Sequence, residues 1–214
     1  WTCFYFDDIN SFSYNSITGL RKDYYGAELG LDFKLASFLN LKAIGQISEA
    51  KNTSNATVVY LNSTQGTYQA DRALIKDMRE SGTPLTAASL GLDFHQGGWF
   101  ISLNGNYYDR IYLSYAPYWR YAKKVASLPG GVNEDGSYHV NAQQKGHGGF
   151  MLDGSIGKNI YIKHGGMLSI NLMMTNLLNN RTMVTGGYEQ SRSDATSSGD
   201  RTYVFSKNPK KYYA

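Results

Sequence analysis

Apolar and polar residues alternate along several long stretches of this chain. From Tyr25 the odd positions read Tyr25, Ala27, Leu29, Leu31, Phe33 and Leu35, while the even positions read Gly26, Glu28, Gly30, Asp32 and Lys34. After Gly98, Trp99, Ile101, Leu103, Gly105 and Tyr107 oppose Ser102, Asn104, Asn106, Tyr108 and Arg110. Leu168, Ile170, Leu172 and Met174 oppose Ser169, Asn171, Met173 and Thr175 in the same way. A period of two is that of a β-strand with one apolar and one polar side. The pattern predicts strands at about 1–6, 24–36, 38–50, 85–95, 98–113, 148–162 and 166–178, seven in all, with the stub of an eighth at 211–214. Val58 to Leu61 ahead of Ser63-Thr64-Gln65-Gly66 reads as a small extra hairpin, and 71–81 reads either as a short helix or as an extended arm.

The connections alternate as well. Tight turns at 36–38, 95–98 and 162–166 take turns with long Asn-, Ser-, Gly- and Asp-rich stretches at roughly 52–82, 114–147 and 179–209. An up-and-down antiparallel sheet with one short-turn rim and one long-loop rim produces this rhythm, and outer-membrane β-barrels are built that way. The apolar sides would meet lipid in a barrel and a second sheet in a soluble sandwich.

Composition favours the barrel. Hydrophobic residues make up 42%, mean hydropathy is -0.42, and 18 Tyr stand beside 9 Phe and 3 Trp. Trp99, Tyr107, Tyr112 and Tyr161 fall near strand ends, where aromatic girdles sit at the two bilayer interfaces. The polar sides carry Glu28, Asp32, Lys34, Asp93, Arg110 and Asp153 among small residues, which suits a wet lumen. No stretch approaches the about 18 consecutive apolar residues of a transmembrane helix. The lone Cys3 rules out an internal disulfide framework. Opening and closing within apparent strands, residues 1–214 read as part of a larger wall.

Several segments resemble a known family. Gly82-Thr83-Pro84-Leu85-Thr86-Ala87-Ala88-Ser89-Leu90-Gly91-Leu92, followed by Trp99-Phe100 and Asn104-Gly105-Asn106-Tyr107-Tyr108-Asp109-Arg110-Ile111-Tyr112-Leu113, resembles the late barrel strands of TonB-dependent outer-membrane receptors. Asn176-Leu177-Leu178-Asn179-Asn180 with Gly187-Tyr188-Glu189-Gln190-Ser191-Arg192 is similar to the segment before their last strand, and Tyr24 to Gly30 to their recurring strand start. The likeness is to receptors with a carboxypeptidase-regulatory-like module, relatives of the SusC-like glycan importers. It implies an all-β antiparallel transmembrane β-barrel of about 22 strands with a plugged lumen. Residues 1–214 would be the C-terminal portion of the barrel domain, without the N-terminal plug and the final strand. The implied function is active import of a nutrient across the outer membrane of a Gram-negative bacterium. Implied partners are TonB, acting through the plug, a surface lipoprotein lid, outer-membrane lipid with its lipopolysaccharide, and a nutrient ligand. A non-transporting barrel or surface adhesin is the competing class, and an outer-membrane barrel enzyme the third.

Candidate chemistry is sparse. His95 and His164 fall at tight turns; His139 and His147 share a long loop with Glu134 and Asp135, ahead of Asp153, without zinc-type spacing or a nucleophile motif. Asn133-Glu134-Asp135-Gly136 lacks the spacing of a calcium loop and reads as an Asp-Gly turn. The reading is therefore of a protein that is not an enzyme and takes no cofactor or metal. The net charge of +4 and pI near 9.0 come from scattered basic residues, apart from Lys123-Lys124 and the group at 207–211. Lipid phosphates suit them better than nucleic acid. The candidate ligand residues are aromatics beside charges: Tyr115, Tyr118, Trp119, Arg120 and Tyr121 in one long loop, and Tyr188, Glu189 and Arg192 in the last. Sugar rings stack on such aromatics while Arg and Glu bond their hydroxyls; the alternative is a girdle of tyrosines with arginines bracing the loops.

Overall fold

The computed structural model describes residues 2–6, 12–62, 66–115, 117–140, 142–163 and 165–184. These form ten strands: β1 (Thr2–Phe6), β2 (Phe12–Thr18), β3 (Lys22–Ala36), β4 (Leu39–Asn52), β5 (Ala56–Asn62), β6 (Thr67–Ala73), β7 (Pro84–Gln96), β8 (Trp99–Ile111), β9 (Gly149–Ile162) and β10 (Gly166–Met174). A 3-10 turn at Pro117–Arg120 leads into a single-turn-and-a-half helix, α1 (Ala122–Ser127). The protein is all-β and every strand pair is antiparallel.

Six long strands make one sheet in the order β3-β4-β7-β8-β9-β10, an up-and-down meander. Two of its short turns fall where Gly97 and Gly98 and, farther on, Gly165 adopt positive φ, a conformation glycine enters without a steric penalty. The sheet does not close among the described residues; β3 and β10 are its two edges. Directly paired residues share a face, so the register assigns both sides. On one, Leu31, Ala43, Leu90, Gly105 and Leu152 line up near Leu29, Leu41, Leu92 and Leu103, flanked by Ile101, Ile156 and Leu172. On the other, Glu28 meets Gln46, Asp32 meets Lys42, Asp93 meets Ser102 and Asn104 meets Asp153. The two faces expected from the alternation are therefore present, with Ile44 an apolar exception on the polar side.

Among the described residues no layer covers the apolar face. Most of its large side chains are exposed, Ile101 by 37% and Leu29 by 63%, while Leu41 and Leu152 are half-buried. The polar face is knit together instead: Lys42 Nζ lies 2.9 Å from Asp93, Ser102 donates to Asp93 at 2.6 Å, and Asn106 donates to Asp153 at 3.0 Å. Two glycines accommodate rings. A Cβ at Gly105 would lie 2.8 Å from the Phe150 ring, and one at Gly157 2.1 Å from that of Phe100. Each ring thus covers backbone that a side chain would displace.

The remaining strands form a second sheet, β1-β2-β5-β6, at the long-loop end. The β3–β4 hairpin continues into it. After a break at 19–21 and 53–55, bridged by Thr53 N–H donating to Arg21 O at 2.9 Å, β2 and β5 pair again. This sheet carries the packed core. Ile17, Val58, Tyr60, Ala73, Ile75, Met78 and Tyr121 are buried together, with Leu20, Tyr115, Tyr118 and Val140 against them.

Two expectations need correction. The first predicted strand pairs with β2 in the second sheet and not with the wall, because β2 supplies an antiparallel partner that alternation alone did not reveal. The strand expected to reach residue 178 stops at Met174. There Asn176 turns to a φ of 54° and its N–H donates to Asp153 Oδ1 at 2.8 Å. The hairpin at 58–66 is found as β5 and β6, and 71–81 is extended and looped, not helical. The expected stub at 211–214 lies outside the described residues.

Candidate functional site

The segments between β6 and β7 and between β8 and β9 fold over the second sheet and make a cap beyond the long-loop rim. Asn52, buried at the end of β4, is their anchor. Its side-chain amide donates to Ile75 O at 3.0 Å and to the Tyr115 hydroxyl at 3.2 Å, and its backbone pairs with Asp77 and Met78. Gln143 holds the two segments to each other. Its Oε1 accepts the Arg79 N–H at 2.6 Å, and its Nε2 donates to Arg79 O and Leu113 O.

The cap rests on the wall through a carboxylate between two guanidiniums. Glu49 Oε1 lies 2.6 Å from Arg79 Nε, and its Oε2 accepts from Arg110, whose φ of 54° turns it out of strand alternation. Arg110 also donates to Ser48 O at 2.8 Å, and Arg79 stacks 4.7 Å from the Tyr112 ring centre.

Four of the expected ligand residues are brought together in the cap. Tyr118 meets Tyr60, Trp119 and Tyr121 edge to face, with ring centres 5.6 to 6.3 Å apart. Lys124 Nζ sits 4.6 Å from the Trp119 ring centre, and the buried Arg120 lies 5.3 Å from that of Tyr115. Burial pushes the Tyr115 phenol above the ordinary tyrosine range, opposed by the bond from Asn52. Tyr121, the fifth of this group, is wholly buried and donates to Asn15 at 2.7 Å. Tyr188, Glu189 and Arg192 lie outside the described residues.

An open cleft of about 670 Å³ runs between the turn after β6 and the loop near residue 138. Its apolar floor is Leu74, Met78 and Val140; Arg72, Lys76 and Tyr138 stand at the sides. Both walls are held by their own bonds. Asn55 Oδ1 accepts the Lys76 N–H at 3.0 Å, and Asn133 N–H donates to Ser137 O at 2.8 Å across the Asp-Gly turn. Ser137 donates its hydroxyl and N–H to Asp135, holding that carboxyl below the usual carboxylate range. Arg72, Lys76 and Tyr138 were not singled out by the sequence. The signal was a charged run at 71–80 interrupted by the apolar Leu74, Ile75 and Met78, a mixture that also fits a solvated arm.

No group of three or more His, Cys, Asp or Glu able to hold a metal occurs among the described residues. His139 is half-buried and donates its backbone N–H to Gly131 O, His95 and His147 are exposed, and His164 lies outside the described residues. Compared with known proteins, the chain matches no family model, no curated protein and no solved structure.

Proposed function

We propose that this chain forms part of the wall and external cap of a transmembrane β-barrel in the outer membrane of a Gram-negative bacterium, in a TonB-dependent importer of nutrients. The observation that carries the reading is the uncovered apolar face of the six-stranded sheet. Six strands about 4.8 Å apart span roughly 24 Å, and the nine residues from Trp99 to Tyr107 rise about 27 Å, so the face projects on the order of 650 Å². That exceeds the roughly 300–600 Å² of the largest apolar patch on a typical soluble monomer. A hydrocarbon band about 25 Å tall accounts for it, with Phe94 and Trp99 toward one interface and Tyr25, Tyr107 and Phe150 toward the other, while Tyr161, opposite Met167, lies on the polar side. In lipid the edges of β3 and β10 require further strands, since every backbone polar group there must be paired. The long, laddered polar face then lines a wide lumen, as an importer with a plug needs.

In this reading the cap faces outside and contributes to the ligand vestibule. Tyr118 and Trp119 are half-buried and keep ring surface for a ligand, together with Tyr188, Glu189 and Arg192 from the last loop. Tyr115 and the buried Arg120 brace them from beneath. No covalent step is involved; TonB, acting on a plug outside this chain, would open the path. Growth on a nutrient that requires the full-length protein tests this. Growth lost when the host's TonB is deleted supports import, and growth unchanged without TonB contradicts it.

A further inference from the structure

The aromatic cluster of the cap is largely occupied with itself, whereas the cleft beside it is not. Of the four charged residues lining the cleft, two are answered: Arg79 by Glu49 at 2.6 Å and Asp77 by Lys51 at 3.7 Å. Arg72 and Lys76 use their backbone N–H groups on Asp71 and Asn55, and among the described residues neither side-chain cation meets a hydrogen-bond or ion-pair partner. Two unanswered cations therefore flank an apolar floor. Across from them Tyr138 presents a ring that is 41% exposed. The volume lies within the about 300–1,000 Å³ of small-molecule sites. Its walls are fixed by Asn55, Gln143 and the Asp135–Ser137 turn, so little ordering opposes binding.

We propose that this cleft binds an acidic oligosaccharide, whose carboxylate or sulfate groups sit on Arg72 and Lys76 while a sugar ring lies on Tyr138 over Leu74, Met78 and Val140. A guanidinium pairs such oxygens two at a time, and an ammonium adds a point charge beside it. A neutral sugar would leave both cations unsatisfied by the ligand, so charge is the basis of selection. The proposal rests on the import reading in that it names the ligand class of the outward-facing cap.

Calorimetry on the full-length protein in detergent, with trigalacturonate, a sulfated carrageenan tetrasaccharide and neutral maltotriose as probes, tests it. At least one acidic probe should bind at least tenfold more tightly than maltotriose. Arg72→Gln with Lys76→Gln should remove at least tenfold of that affinity, and Tyr138→Ala a smaller part, because these exposed side chains support no core packing. Neither acidic probe binding, acidic and neutral probes binding alike, or full affinity in the double variant would each overturn the site. Lipid exposure of the wall, measured on the same preparation, separates the two readings. A lipid-facing wall with no acidic-sugar binding defeats the cleft alone, and binding without a lipid-facing wall defeats the import reading alone.

Discussion

Glu49 is the point at which removing one charge should loosen the cap from the wall. Its side chain is 12% exposed, and those of Arg79 and Arg110 are 32% and 27% exposed, so the group is neither a surface pair nor a fully buried one. At about 3 Å and an effective dielectric near 20, each contact is worth roughly 5 kcal/mol of gross attraction, most of it offset by lost hydration. Exposed pairs retain about 0–1 kcal/mol and broken buried pairs cost about 3–5 kcal/mol. The intermediate burial sets the expected coupling between Glu49 and Arg79 at about 1–3 kcal/mol. In a double-mutant cycle of Glu49→Gln and Arg79→Gln, the readout is amide hydrogen exchange at 74–79 and 112–115 in the full-length protein. Glu49→Gln alone should raise exchange there about 5- to 150-fold while leaving the β7–β8 ladder unchanged. A coupling below about 0.5 kcal/mol, the level of an ordinary surface pair, would refute this account of how the cap is held.

Other consequences concern the wall and the cap's interior. Leu90→Arg, at the middle of the apolar face, should destabilise the protein in vesicles by about 2–4 kcal/mol, Thr86→Arg near the rim by about 0–1 kcal/mol, and Ser89→Arg on the opposite face should not follow depth; urea midpoints measure all three. Gly157→Val should displace the Phe100 ring and lower the same midpoint, because the added carbon also approaches Ile170 O at 2.8 Å. The raised Tyr115 phenol contributes stability that is whole below the ordinary value of about 10 and is lost as pH rises through its higher folded value. Trp119 fluorescence should therefore report an alkaline loosening of the cap in the native protein that Tyr115→Phe lacks.

Much of the wall was legible because alternation is a direct image of a sheet with unlike faces. From Lys22 to Ala36 and from Trp99 to Ile111 the predicted and observed strands differ by two residues or fewer at each end. The second sheet was only half legible. β5 shows β-branched residues before a turn, but β2, Phe-Ser-Tyr-Asn-Ser-Ile-Thr, gives no clean apolar side, so β1 was assigned to the wall. Helix α1 was missed because six residues are too few to show a helical period. The aromatics at Tyr115 to Trp119 stood out by type, yet composition does not say whether a tyrosine meets a ligand or another tyrosine. Tyr60, distant in sequence, decides that for Tyr118, together with Tyr121 one turn on. The cleft was illegible because its walls, at 72–79 and 137–143, come together only through tertiary contacts such as Gln143 with Arg79.

The most direct test of the central claim is a pair of accessibility profiles across the six-stranded sheet. With Cys3→Ser as background, single spin labels would be placed at Leu29, Leu31, Phe33, Ile101, Leu103, Leu168, Ile170 and Leu172, and at Glu28, Asp32, Asn104, Asn106 and Asn171, in the full-length protein in vesicles. The account predicts that the first set is relaxed by oxygen dissolved in lipid and shielded from a water-soluble nickel complex, with the order reversed in the second. Mixed accessibilities within either set, or an apolar set shielded from both reagents as in a packed sandwich, would contradict it.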